Sequence, residues 1–119
     1  MTDPGPAKSR LTADRDQTLD RIAELERDFA AIVTSAIDGS SGGDDEHDPE
    51  GATVAFERQH VAALAAQARE HLAAIDAALR KIDSGIYEIC DLCGGPVGEE
   101  RLVARPASLI CVSCARTRR

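Results

Sequence analysis

The four cysteines of the chain fall into two C-x-x-C pairs, Cys90 with Cys93 and Cys111 with Cys114, separated by 17 residues. Each pair lets two thiolates converge on one ion from a tight turn, and a spacer of ~15–20 residues is long enough to bring the second pair opposite the first. The Gly94-Gly95 step gives the first turn the backbone freedom it needs. Four sulfur ligands leave no open coordination position, so the pattern predicts one structural Zn²⁺ and not a catalytic metal.

The alternative use of these cysteines is a pair of disulfides, or free thiols. Disulfide frameworks are typical of secreted domains that are rich in cysteine, whereas this chain has four cysteines in 119 residues. The first ten residues, MTDPGPAKSR, lack the apolar segment of a secretory signal, and no stretch approaches the ~18 apolar residues of a membrane span. We therefore expect a cytoplasmic protein that binds zinc and has no membrane partner.

The composition excludes several functional classes. Two Phe, one Tyr and no Trp are too few aromatic residues for a large globular core, so zinc and a long helix–helix seam are expected to stabilise the chain. The formal net charge of −7 disfavours general affinity for nucleic-acid phosphates, and we expect no sequence-specific DNA partner. No nucleophile–base pair or phosphate loop is recognisable, so an enzyme is not expected.

Two amphipathic segments with near-heptad apolar spacing predict helices over 10–37 and 51–83. Between them, residues 38–50 are rich in Ser, Gly and carboxylates and predict an acidic turn, after which Asp48 and Pro49 are typical of a helix start. Residues 1–9 are expected to be disordered. The predicted seam positions are Leu11, Thr18 or Leu19, Ile22, Leu25, Phe29, Ile32 and Ala36 in the first helix, and Val54, Val61, Leu64 or Ala65, Ala68, Leu72, Ile75, Leu79 and Ile82 in the second.

The predicted fold is mostly α: an antiparallel helical hairpin (a coiled coil) over 10–83, followed by a small four-cysteine zinc finger with a short basic tail over 84–119. A linker of about 13 residues makes the two helices antiparallel neighbours in one chain, which predicts a monomer. The same seams are also compatible with an intermolecular bundle.

The segment GIYEICDLCGGPVGEERLVARPASLICVSCARTRR closely resembles the C-terminal zinc finger of the DksA/TraR family. The resemblance covers about 30 residues and is specific, because it extends well beyond the two C-x-x-C pairs. The preceding hairpin also fits the longer members of the family. The matching residues are Gly85, Tyr87, Cys90, Cys93, Gly94, Pro96, Val97, Gly98, Arg101, Leu102, Ala104, Pro106, Cys111 and Cys114.

The resemblance implies a bacterial transcription regulator that binds RNA polymerase itself and not promoter DNA. Members of the family insert the coiled coil through the secondary channel, so that acidic residues at its tip approach the catalytic Mg²⁺. In this chain Asp48 and Pro49 match the start of the family's tip motif, while Gly51 and Thr53 replace its second Asp and its Ala. The carboxylates expected to contact the polymerase are Asp44, Asp45, Asp48 and Glu50.

Some relatives respond to guanosine tetraphosphate through basic residues near the finger. Arg105 matches one such position and is implied as a contact for the nucleotide or the polymerase. Ala115 and Ala74 stand where two other basic residues are expected, which leaves sensitivity to the nucleotide doubtful.

A second class of function remains open from the residues alone. The chain could be a zinc-ribbon adaptor whose hairpin binds another protein, or a weak nucleic-acid-binding module that uses the finger and the arginine-rich tail. Charge concentrated on the finger and tail would favour these alternatives. Residues 86–119 instead carry four acidic residues against five arginines, so the net negative charge lies in the predicted hairpin.

Overall fold

The computed structural model of the protein describes the backbone of residues 4–40 and 49–118 and the side chains of residues 4–35 and 51–118. These residues form four helices in the order α1 (Gly5–Ser40), α2 (Pro49–Asp83), α3 (Glu99–Ala104) and α4 (Val112–Thr117). Within these residues the extended structure is limited to one isolated antiparallel bridge between Ile89 and Pro96. The expected mostly α fold, a helical pair followed by a four-cysteine finger, is confirmed.

Helix α1 begins at Gly5 and so includes residues that we assigned to a disordered segment on composition. Pro6 does not prevent this, because the first N–H groups of a helix have no intrahelical partner and proline fixes a helical φ angle. Helix α2 begins at Pro49, in agreement with the Asp48-Pro49 pattern, and ends at Asp83. Gly85 follows with φ 76°, which lets the chain turn away from the helix axis. Most of the predicted acidic turn lies outside the described residues.

The structure divides into two compact units, and the first comprises Met1–Thr18 and Glu70–Arg119. In this unit α1 and α2 are antiparallel: Lys8 pairs with Asp83, and Arg15 Nε lies 2.7 Å from Asp76 Oδ1. The unit contains one core to which both helices and the finger contribute. Its buried members are Leu11, Ile75, Ala78, Tyr87, Cys90, Val97 and Leu102.

The second unit comprises Leu19–Arg69 and is a two-helix segment with a narrower core. Ile22, Leu25 and Ala65 are buried there, and Arg69 donates a hydrogen bond of 2.9 Å to Glu26. Phe56 is 71 % exposed and stacks on the ring of His60. None of the described helices combines the length and apolarity that a bilayer crossing requires.

The predicted seam positions include most of the buried residues of the two helices, but they also include flanking residues that remain partly exposed. Leu11, Ile22, Leu25, Ala65 and Ile75 are buried as expected. Between Thr18 and Leu19, it is Thr18 that is buried, while Leu19 and Phe29 remain more than a third exposed. With one partner helix in its unit, each helix has only a narrow stripe to cover, so flanking apolar side chains stay accessible.

Candidate metal centre and the surrounding finger

The first cysteine pair lies on a tight turn closed by backbone hydrogen bonds. The Cys90 N–H donates to the Gly95 carbonyl at 2.7 Å, and the Gly94 N–H donates to the Cys90 carbonyl at 3.0 Å. Gly94 has φ 73°, a conformation that a residue with a Cβ rarely adopts. The Gly94-Gly95 step identified in the sequence therefore shapes this turn.

The second cysteine pair lies at the start of α4. Cys111 precedes the helix, Cys114 lies in its first turn, and the Ala115 N–H donates to the Cys111 carbonyl at 3.0 Å. The Asp91 N–H donates to the carbonyl of Leu109 at 2.9 Å, which joins the first turn to the chain entering the second pair. The 17-residue spacer is thus folded back so that the two pairs meet.

Arg101 forms hydrogen bonds within the 17-residue spacer. Its Nε donates to Ser108 Oγ and to the Ile110 carbonyl, both at 2.9 Å. A charged group that bonds two parts of a short loop fixes the loop's path. Arg101 is one of the residues that carry the family resemblance, and this bonding gives it a structural role next to Cys111.

The sulfur atoms of Cys90, Cys93, Cys111 and Cys114 all lie within 4.8 Å of one another. The Cys93 and Cys111 sulfurs are 3.8 Å apart. Tetrahedral Zn²⁺ with Zn–S distances of ~2.3 Å requires sulfur–sulfur distances of ~3.8 Å, so the cluster has the size that one ion needs. The donor set is all thiol and would fill the coordination shell. The residues fit one structural zinc, as predicted.

Backbone amides and neighbouring thiols shift the pKa values of Cys90 and Cys114 in opposite directions. The backbone hydrogen bond from Cys93 lowers the pKa of Cys90 to about 6, opposed by burial and assisted by the N–H of Cys111. The pKa of Cys114 is raised to about 12, chiefly by its hydrogen bond with the Cys111 side chain. In a metal-free cluster Cys114 therefore keeps its proton at neutral pH, and a bound cation would displace that proton.

The zinc-binding cluster rests directly on the core of the first unit. Cys90 is only 2 % exposed and belongs to the same cluster as Leu11 of α1 and Tyr87. The Tyr87 hydroxyl donates to the carbonyl of Pro106 at 2.7 Å, and burial raises the pKa of this phenol. The contribution of α1 to the finger was not predicted, because a heptad pattern gives no information on which residues a helix end contacts elsewhere in the chain.

Arg105 lies exposed at an open depression of about 610 Å³ on the first unit. Arg10, Arg101 and Arg118 also line this depression, and Ala74 lies among them. Arg10 donates to the Val103 carbonyl at 2.6 Å, which attaches the start of α1 to the end of α3. The sequence indicated Arg105 through the family motif, but it gave no signal for Arg10, which is remote in the chain.

The predicted acidic tip lies outside the described residues. Asp44, Asp45 and Asp48 fall between the end of α1 and the start of α2, and only the backbone of Glu50 is described. The structure therefore brings together the four cysteines and positions Arg105, and it leaves the tip carboxylates as a prediction.

Comparison with known proteins places residues 85–118 in a family described as the prokaryotic dksA/traR C4-type zinc finger. The RNA polymerase-binding transcription factor DksA of Haemophilus influenzae is 39% identical over 46 residues, which cover 39% of this chain and 32% of that protein. An uncharacterized protein of Aquifex aeolicus is 49% identical over 41 residues, covering 34% of this chain and 28% of the relative. The match therefore spans about a third of the length of these relatives.

The fold likeness extends further than the sequence match. The structure of the transcription factor DksA2 from Pseudomonas aeruginosa aligns with a TM-score of 0.52 over 99% of this chain and 90% of that one, at 24% sequence identity. At this low identity, the likeness shows a similar fold. Residues 85–118 therefore match the prokaryotic dksA/traR C4-type zinc finger, their four clustered cysteines fit one structural zinc, and the helical fold of the chain is similar to that of DksA2.

Proposed function

We propose that this protein is a bacterial transcription regulator that binds RNA polymerase directly. The observation that carries the proposal is the similarity of its finger region to a relative named as an RNA polymerase-binding transcription factor. The DksA2-like fold over nearly the whole chain supports the same assignment. The net charge of −7 also favours a protein partner with basic surfaces over a nucleic acid.

The zinc site has a structural role in this proposal, with Cys90, Cys93, Cys111 and Cys114 as the four ligands. Their sulfur atoms are close enough to share one ion, and Cys90 lies in the core that joins the finger to α1 and α2. Bound zinc would hold the two turns together without offering a reactive position. The ion would thereby fix the shape of the finger and of the helix ends packed on it.

The helical hairpin is proposed to enter the secondary channel of the polymerase, with Asp44, Asp45, Asp48 and Glu50 near the catalytic Mg²⁺. In support, Asp44, Asp45 and Asp48 fall in the sequence between α1 and α2, Glu50 is the second residue of α2, and the chain's excess of negative charge lies outside the finger. Carboxylates are suited to a region that contains a metal ion and basic side chains, because opposite charges favour their approach.

Arg105 is proposed to contact an anionic group, either on the polymerase or on a nucleotide. It is exposed and shares its depression with Arg10 and Arg118, which gives that surface a local positive charge. Ala74 lies in the same depression, so one basic side chain implied by the family resemblance is absent there. Guanosine tetraphosphate is accordingly the less favoured ligand, and a carboxylate or phosphate at the polymerase interface is the favoured one.

A column experiment tests the binding proposal. The zinc-loaded full chain is immobilised, and purified bacterial RNA polymerase is applied at low salt without DNA. We expect the polymerase to be retained, and an Arg105→Ala variant to retain it less strongly than an Arg80→Ala variant. Arg80 is a suitable control because it is an exposed arginine near the end of α2 that does not line the depression.

Two results of this experiment would contradict the proposal. Failure to retain polymerase at low salt would favour the zinc-ribbon adaptor. Retention that requires added DNA would favour the nucleic-acid-binding module. Repeating the elution with guanosine tetraphosphate separates the two readings of Arg105, since a nucleotide site predicts a shift in elution that Arg105→Ala abolishes.

A further inference from the structure

Lys81 is the one buried ionisable side chain, cysteines and Tyr87 aside, among the residues whose side chains the structure describes. Only 8 % of its side chain is exposed, although it lies in the last turn of α2, two residues before the helix ends. Lysine is almost never buried to this extent without a partner, because an ammonium group loses its hydration on burial. The groups that compensate this charge therefore indicate its role.

Lys81 contacts the segment that leads into the finger. Its Nζ donates to the carbonyl of Ile89 and lies 2.9 Å from Asp91 Oδ1. Its own carbonyl accepts a hydrogen bond of 2.9 Å from the Ile86 N–H. Ile89 and Asp91 are the two sequence neighbours of Cys90, so the ammonium contacts both residues that flank the most buried cysteine of the cluster.

Asp91 alone is a weak counter-charge for this lysine. Its side chain is 48 % exposed, and an ion pair with an accessible member is weakened by water. The zinc site supplies a stronger counter-charge for Lys81, because Zn²⁺ with four thiolates carries a formal net charge of about −2. A buried ammonium that contacts both neighbours of Cys90 would offset part of that charge, and the site would in turn compensate the ammonium.

We propose that Lys81 is a positioning and charge-balancing residue of the zinc site. Its ammonium holds the Ile89–Asp91 segment against the end of α2 and offsets the negative charge of the bound thiolates, which slows the loss of zinc. The inference rests on the proposed zinc ligation and is independent of the partner. Residues around a metal site that orient or polarise its ligands commonly change metal affinity by about 10–100-fold when they are replaced.

The test is the rate at which the zinc-loaded full chain transfers its metal to an excess of a chromogenic chelator. Lys81→Met keeps most of the side-chain volume and removes the charge, and we expect zinc loss about tenfold faster than in the wild type. Arg80→Met is the matched control: it removes one positive charge from the adjacent, exposed position and should leave the rate unchanged.

The Asp91→Asn variant tests whether Lys81 balances the charge of the thiolates or only forms an ion pair with Asp91. If Lys81 served only to pair with Asp91, removing either partner would be equally damaging. With Lys81 balancing the thiolates, Asp91→Asn leaves the ammonium in place and removes a competing negative charge, so zinc should be lost no faster than in the wild type. Hydrogen exchange at the Cys90 amide, measured on each zinc-loaded variant, reports whether the turn itself has loosened.

Two outcomes would overturn the inference: a Lys81→Met rate equal to that of the wild type, or an Asp91→Asn rate as fast as that of Lys81→Met. If Lys81→Met takes up no zinc, Lys81→Gln replaces it, and its rate of zinc loss is compared with that of Asp91→Asn. The glutamine amide removes the charge but can still donate to the Ile89 carbonyl. A wild-type chain without stoichiometric zinc would refute zinc ligation by the four cysteines. That result is distinct from a failure of the role proposed for Lys81.

Discussion

At the scale of single residues, the cysteine cluster predicts that zinc binding displaces protons. The pKa of Cys114 is raised to about 12 in the metal-free cluster, so this thiol is protonated at neutral pH and must lose its proton to become a ligand. The zinc-bound state then holds fewer protons than the free state, and raising the pH favours binding. Titration calorimetry in buffers of different ionisation enthalpy should show at least one proton released per zinc and an affinity that falls on acidification. A heat independent of the buffer would contradict this.

Replacement of one ligand should remove the metal. We expect native mass spectrometry to find one zinc per wild-type chain and none in Cys111→Ser, because three thiolates and a hydroxyl do not make a closed structural site. Ser113→Ala, an exposed position between the second pair of cysteines, should keep its zinc. Stoichiometric disulfides without metal in the wild type would show that the cysteines have the other role considered from the sequence.

The sequence predicted the residues that carry a local signature and missed those that act through the fold. Cys90 and Arg105 were singled out because spacing or a motif marks them, and the role of Arg105 stays a prediction. Lys81 and Arg10 have no such mark: their roles depend on Ile89 and Val103, which they reach only once the helices and the finger have packed together. A lysine at a helix end is usually a solvated residue, and only its burial distinguishes this one.

At the scale of the elements, apolar periodicity predicted both long helices but not their starts or their degree of burial. Periodicity reports which face is apolar and not how much of that face a partner covers. Phe29 was placed in the seam, yet it remains more than a third exposed in its two-helix unit. The start of α1 at Gly5 was missed because proline and glycine were taken as disorder signals, whereas proline is accommodated in a first helical turn.

Burial differences within the helices predict unequal stability effects. Ile75 is fully buried in the core of the first unit, so Ile75→Ala should lower the free energy of unfolding by about 2–5 kcal/mol through lost burial and the cavity left behind. Leu19→Ala removes a side chain that is 39 % exposed and should cost clearly less. Urea unfolding of the zinc-loaded proteins, followed by circular dichroism, compares the two. Equal effects would argue against the packing described for α2.

At the scale of the whole molecule, the proposed function predicts that substitutions at the acidic tip reduce the effect on transcription more than the affinity for RNA polymerase. Asp45→Asn combined with Asp48→Asn removes two charges while Asn still caps a helix, so folding should survive. In a multi-round transcription assay this double variant should compete with the wild type for polymerase yet lose most of its effect on transcript yield. The reason is that the finger and the parts of α1 and α2 away from the tip would supply most of the contact area.

The matched control is Asp16→Asn combined with Asp20→Asn, which removes the same charge from exposed positions of α1. This variant should retain the effect on transcription. If the tip variant had the same effect on transcription as the wild type, the acidic turn would serve solubility only. The Gly51 departure from the family motif would then be the natural explanation.

The fold class and the metal could be predicted for the whole chain, because each follows from patterns of a few residue types. The partner could be inferred only through the finger's resemblance, since charge and periodicity describe many helical hairpins equally well. The division into two units had no sequence signal: α1 and α2 continue through both, and only the packing around Leu11 and Ile75 distinguishes the first from the second.

The bond from Arg10 to Val103 spans 93 residues of sequence, and this has a consequence for biosynthesis. At about 5–20 residues per second, a ribosome needs about 5–20 s to make the segment between them. Throughout that interval Leu11 has no finger to pack on, and the late closure of so long a loop is unfavourable until its contacts form. Because Cys90 belongs to the same core, we expect bound zinc to stabilise the packing of α1 against the finger. Zinc supply would then set how long each new copy stays open to proteases.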